Sequence, residues 1–188
     1  MYNIVIVAHP DDEIFWMGAN MVARPEEHWH IVCVTYNAKS LRGREFRRIC
    51  KRYKWTFHQL GFLDKGREQP ILNNVKLVST LYQELRMYKR RNLINHIYTH
   101  SHRGEYGHLQ HRQIHQAVRT VVRSLKYRGP ISYFQWDVTQ GIVEPNQELL
   151  LPQHFKAKRK LAMLYSKSKE PDIERYPWWK QVLSYDQT

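Results

Sequence analysis

The chain has 188 residues, 42% of them hydrophobic, enough for one sizeable core and a single domain over residues 1–188. No apolar run approaches the roughly 20 residues of a membrane span. The two cysteines, Cys33 and Cys50, give no CxxC pair, which argues against a disulfide framework or a cysteine zinc site. The N-terminal apolar run, about five residues without a basic lead-in, is too short for a signal peptide, so a cytoplasmic protein is expected. The formal net charge of +13 admits two readings: an anionic partner, or a solvated basic surface. The charge is spread over several segments rather than held in one block, which favours the second.

Residues 2–8 read as a buried strand, and a helix is expected from about Ile14 to Ala23, ending before Pro25. His30 to Tyr36 is a second strand. Residues 41–54 form a basic helix whose other side carries Phe46, Ile49 and Tyr53. Thr56 to Phe62 is a third strand, followed by a loop to Pro70. A long amphipathic helix runs from about Asn73 to Arg91, with Val75, Leu77, Val78, Leu81, Leu85 and Met87 as its apolar set. Ile94 to Thr99 is a fourth strand, opening into the polar loop 100–107. A helix follows from about His108 to Leu125. Ile131 to Asp137 is a fifth strand with a hairpin partner near 141–151. Phe155 to Tyr165 reads as a basic helix, and the Trp-rich tail shows no clear pattern.

Strands alternating with helices at crossover spacing imply an α/β, Rossmann-like fold with a mostly parallel sheet. Ligands in such sheets bind beyond the carboxyl ends of the strands. Two polar clusters lie there. The first, His9-Pro10-Asp11-Asp12-Glu13, follows strand one. The second, Gly104 to His115, follows strand four and supplies His108, His111 and His115. If strands one and four are neighbours, the clusters face each other.

His9, Asp12 and one histidine of the second cluster make a three-ligand set that leaves a coordination position for water. A bound metal lowers the pKa of that water and polarises a carbonyl, and Asp11, beside Asp12, is placed to take the proton. Taken alone, the tetrapeptide could be a turn in which Asp12 caps the next helix. Eleven histidines also make chance pairs common. Both clusters following strands of one sheet is the stronger signal.

Ala8 to Glu13 matches in full the AHPDDE signature of the PIG-L/LmbE-like zinc-dependent N-deacetylases, and Gly104 to His111 resembles that family's GEYGHPDH. Arg42 and Glu45 resemble its R-x-x-E helix. Leu60 to Asp64 resembles its Leu-Gly strand ending in Asp, and Lys160 to Ser166 its Lys-rich helix. The resemblance implies a hydrolase acting on an N-acetylated amino sugar or glycoconjugate, anionic in one version. His9, Asp12 and His111 would hold Zn2+, with Fe2+ able to use the same donors. Asp11 would be the general base. His108 would protonate the amine or steady the oxyanion, Tyr106 would polarise the carbonyl, and Arg42 would contact substrate.

Three departures stand out. Gln110 replaces an Asp, which would leave His108 without a carboxylate behind it. Leu109 replaces a Pro. Bulky Phe15-Trp16-Met17 follows the first motif, with Trp16 either a sugar-stacking platform or core filler. The alternatives are a catalytically silent sugar- or nucleotide-binding protein of the same fold, and a basic nucleic-acid-binding protein. Nucleic acid is not the expected partner, because no recognisable motif for it is present. Oligomeric state is not legible.

Overall fold

The computed structural model describes residues 1–71, 73–134, 147–148, 152–168 and 183–187. Its sheet has the order β3-β2-β1-β4-β5-β7-β6, with β6 at Gln147–Glu148 and β7 at Leu183–Gln187. The parallel part comprises β1 (Tyr2–Val7), β2 (His28–Thr35), β3 (Thr56–Phe62), β4 (Ile94–Thr99) and β5 (Ile131–Phe134). The helices are α1 (Asp12–Ala23), α2 (Leu41–Arg52), α3 (Asn74–Arg90), the single irregular turn α4 (Gly104–Gly107), α5 (Leu109–Ser124) and α6 (Pro152–Ala162). A 3-10 segment, Met163–Ser168, continues α6.

The central strands β1 and β2 are buried on both faces and therefore read as apolar runs, whereas β3, at the edge of the sheet, is partly exposed. In β1, Val5 and Val7 enter the core under α1, α2 and α6, while Ile4 and Ile6 enter the core under α3 and α5. This alternation follows from the two-residue period of a strand.

The helix ends follow local chemistry. Ser40 caps α2 by accepting from Gly43 N at 3.0 Å, and Asn73 caps α3 by accepting from Lys76 N at 2.9 Å. A Cβ on Gly43 would lie 2.0 Å from the Asn37 carbonyl oxygen, so only glycine lets this first turn sit against the preceding loop. That turn delivers Arg42. Gly18 allows a similarly close approach of α6 to α1, since a Cβ there would lie 3.1 Å from Leu161 Cδ1.

Three expectations change. In α3, Leu77, Leu81 and Leu85 are buried, but Val75 and Met87 are exposed. Apolar spacing marked a face wider than the one the sheet covers. The antiparallel neighbour of β5 is β7 (Leu183–Gln187), not a hairpin partner from 141–151. Within that stretch, β6 (Gln147–Glu148) pairs with β7, and the rest lies outside the described residues, as do 135–137 and most of the Trp-rich tail. Trp16 is 6% exposed and stacks on Phe134, with ring centroids 5.8 Å apart. Its face is committed to the core, which corrects the reading of Trp16 as a sugar platform.

Candidate active site

β1 and β4 are adjacent and parallel, paired Ile6 to Thr99. The chain leaves β1 toward β2 on one side, and β4 leads to β5 on the other. This is the point where strand order reverses and a crevice opens beyond the strand ends. His9 to Glu13 follow β1, and His100 follows β4. The two clusters meet there.

Asp11 takes φ +109 at the entrance to α1, a left-handed value disfavoured for a side chain with a Cβ. Buried Glu13 holds this turn. Its Oε2 accepts Asp11 N–H at 2.9 Å, and its Oε1 accepts the Tyr165 hydroxyl at 2.5 Å. Burial pushes the Glu13 carboxyl up to about 8. Asp12 does not cap the helix. Its Oδ2 accepts His9 N–H at 2.9 Å and turns into the crevice.

Proton placement singles out three donor atoms. Gln110 Nε2 faces the oxygens of Asp64 (2.9 Å), Gly66 (3.1 Å) and Gln69 (3.1 Å). That environment fixes the amide, so its Oε1 must accept from His9 Nε2–H at 2.8 Å. The bare nitrogen of His9 is then Nδ1. Glu105 Oε2 accepts from His111 Nδ1–H at 2.5 Å, so the bare nitrogen of His111 is Nε2. His9 Nδ1, His111 Nε2 and Asp12 Oδ2 lie 3.2, 3.4 and 3.4 Å from one another. Donors of a regular tetrahedron with bonds of about 2.0–2.1 Å stand about 3.3–3.4 Å apart. Three lone pairs therefore converge at metal-ligand spacing with no hydrogen to place between them, and this set could hold a divalent cation.

Two nearby histidines are spoken for. His100 Nε2 accepts Ala8 N–H at 2.9 Å, and its Nδ1–H goes to Glu105 Oε2 at 3.0 Å. Burial opposes charge on His100; the carboxylates of Glu105 and Asp12 pull the other way, toward about 9. The Ala8 N–H needs a lone pair at Nε2 and keeps the ring neutral. His115 turns away, its Nδ1 bonded to the His100 carbonyl at 2.9 Å. Of the second-cluster histidines, His111 joins His9 and Asp12, and His115 does not.

His108 caps α5, its Nδ1 accepting from Gln110 N–H at 3.3 Å. Its ring stacks on His111 at 4.3 Å. Burial pushes its pKa down, and with Nδ1 accepting the Gln110 N–H, Nε2 carries the hydrogen of a neutral ring. Tyr106 sits 5.5 Å from His111, ring to ring, and burial followed by Asp12 and Asp11 raises its phenol well above the usual range. It keeps its proton. Arg42 Nη2 is paired with Asp11 Oδ2.

The sequence reading missed two participants and misplaced a third. Glu105 is buried and its Oε2 accepts hydrogen bonds from both His100 and His111, with Ser101 N donating to its other oxygen at 2.7 Å. His100 completes that arrangement; being the first residue past β4, as His9 nearly is past β1, was its available signal. Gln110 backs His9, not His108, and connects it to Asp64, which also accepts the Tyr36 hydroxyl at 3.0 Å.

Residues 4–122 match the family described as PIG-L: GlcNAc-PI de-N-acetylase. An uncharacterised protein of Acanthamoeba polyphaga mimivirus, L374, is 24% identical over 123 residues, 60% of this chain. The chain spans about half the length of that relative, 54%. Among solved structures, the N,N'-diacetylchitobiose deacetylase of Pyrococcus horikoshii superposes with a TM-score of 0.73 at 14% identity, covering 100% of this chain and 83% of that one. A deacetylase of the teicoplanin biosynthesis pathway gives 0.66 at 14% identity, covering 89% and 85%. At these identities the likeness is one of fold. The family match covers well over half the chain and takes in both motifs that meet in the crevice, and the chain belongs to the PIG-L family.

Proposed function

We propose that the protein is a metal-dependent amide hydrolase that removes the acetyl group from an N-acetylated amino sugar. The observation that carries this reading is the convergence of bare donor atoms on His9, Asp12 and His111 beside the Asp11 carboxylate. A divalent ion held there, zinc by default and Fe(II) with the same donors, would polarise the acetyl carbonyl and lower the pKa of water.

The chain's own groups account for the protons. Asp11, oriented by Arg42, accepts a proton from the attacking water and returns it to the nitrogen as the C–N bond breaks. His108 Nε2–H and the Tyr106 hydroxyl donate to the carbonyl oxygen as it gains negative charge. The neutrality of His108 supports the oxyanion role over the role of amine acid. Glu105 and Gln110 fix the tautomers of His111 and His9. The products are acetate and a free amine.

The family description and the chitobiose deacetylase likeness support an N-acetylglucosamine-type sugar. Arg67, whose Nη2 donates to the Tyr106 carbonyl at 2.7 Å, puts a cation beside the site and supports an anionic group on the substrate. The test is acetate release from a panel of N-acetylated amino sugars, neutral and phosphorylated, with and without a chelator. Chelator-sensitive release is expected. Metal-loaded, folded protein that releases no acetate from any of them would reject the reading.

A further inference from the structure

The basic residues of α2 divide into two sets, and only one belongs to the site. At about 100° per residue, Arg44, Arg47, Arg48 and Lys51 fall within an arc of about 100°. Arg42, which holds Asp11, lies on the opposite side with the buried Glu45, Phe46 and Ile49. Arg42 and its arginine neighbours therefore do not form one substrate patch, and the outer four need another account.

Those four exposed cations line a cleft of about 400 Å³ together with Ala38. Three of them are held in place. Arg44 Nη1 donates to the Lys39 carbonyl at 2.5 Å, and Arg48 Nη2 to the Leu164 carbonyl at 2.9 Å. The Arg47 guanidinium lies over the Phe57 ring at 5.6 Å. Among the described residues no carboxylate pairs with any of the four. The one acidic residue of α2, Glu45, is buried on the far side. Ordered guanidinium groups along about 6 Å of helix, with the Lys51 ammonium a further turn on, suit a series of phosphates rather than a single small anion.

We propose that this cleft binds the phosphodiester backbone of a single nucleic-acid strand, independently of the metal centre. A basic stripe along one helix in a chain of pI ≈ 9.8 is the electrostatic footprint of such binding. The four cations follow the axis of one helix, an arrangement that matches the row of phosphates along a strand. The sequence reading, which looked for a motif, did not expect this partner; a stripe formed by helical rotation has none.

The test is fluorescence anisotropy of a labelled 20-nucleotide single strand across a salt series. Each phosphate neutralised on a single strand contributes a slope of about −0.7 in log affinity against log salt. Four contacts give about −3, and the exposed double variant Arg47→Gln/Lys51→Gln should bring this to about −1.4. The control Lys76→Gln/Arg90→Gln removes the same charge from α3, across the sheet, and should leave the slope unchanged. Equal losses in both pairs would assign the binding to net charge and overturn the proposal. So would binding of inorganic polyphosphate or anionic phosphatidylglycerol vesicles through these residues without binding of the strand.

Discussion

Gln110 Oε1 stands 2.8 Å from His9 Nε2, and this contact sets which His9 nitrogen faces Asp12 and His111. Residue 110 was expected behind His108, two positions earlier. His108 is the extended residue that caps α5 and Gln110 lies inside the helix, so the two side chains leave the backbone on different sides. Gln110→Met keeps the shape and removes the acceptor. Metal affinity, measured against a competing chelator, should fall about 10–100-fold, the usual effect of losing a partner that orients a ligand. Unchanged affinity would show that His9 is oriented without Gln110.

His108 separates two roles. As a neutral donor it can be partly replaced by the amide N–H of glutamine, but as an acid it cannot. His108→Ala should cost about 10²–10³-fold in kcat, the scale of one oxyanion donor. His108→Gln should recover a measurable part of that loss. Equal losses in both variants would return His108 to the role of acid.

Tyr165 ties the end of α6 to the catalytic turn through Glu13, which in turn holds Asp11 N–H. Tyr165→Phe leaves a buried carboxyl short of a donor and should destabilise the fold by about 1–3 kcal/mol. Activity should fall as well, because the Asp11 conformation loses support. Denaturant unfolding and kcat measured together check this. A stability loss with unchanged kcat would separate Tyr165 from the turn.

Lys158 is 2% exposed, and burial pushes its amine down from 10.5 to about 7. Between these values the unfolded chain holds a proton that the native state lacks. Stability therefore rises with pH from about 7 to 10.5 and levels off below 7. Lys158→Met should remove this slope and stabilise the protein at pH 7. A slope that survives the substitution would belong to another group.

The layout of the fold was legible because its central strands are covered on both faces: Ile4 to Ala8 and Ile31 to Val34 are all-apolar for that reason. The bringing together of His9, Asp12 and His111 was legible because loops at adjacent strand ends must face each other. What did not show was whatever depends on rotation and coverage. Val75 and Met87 share helical spacing with the buried leucines, but the sheet does not extend under them. Trp16 could have faced either way until Phe134 was placed against it. Glu105 adopts φ +54 inside an irregular turn, so no regular period could aim its carboxylate at His100 and His111.

The most direct measurement is acetate release by metal-loaded wild type and Asp11→Asn, with metal content determined on the same samples. His9, Asp12 and His111 are intact in the variant, so both proteins should hold one divalent ion per chain. The variant should lose about 10²–10⁴-fold in rate, the scale of general-base help. Acetate release by Asp11→Asn at the wild-type rate, with metal still bound, would contradict the account.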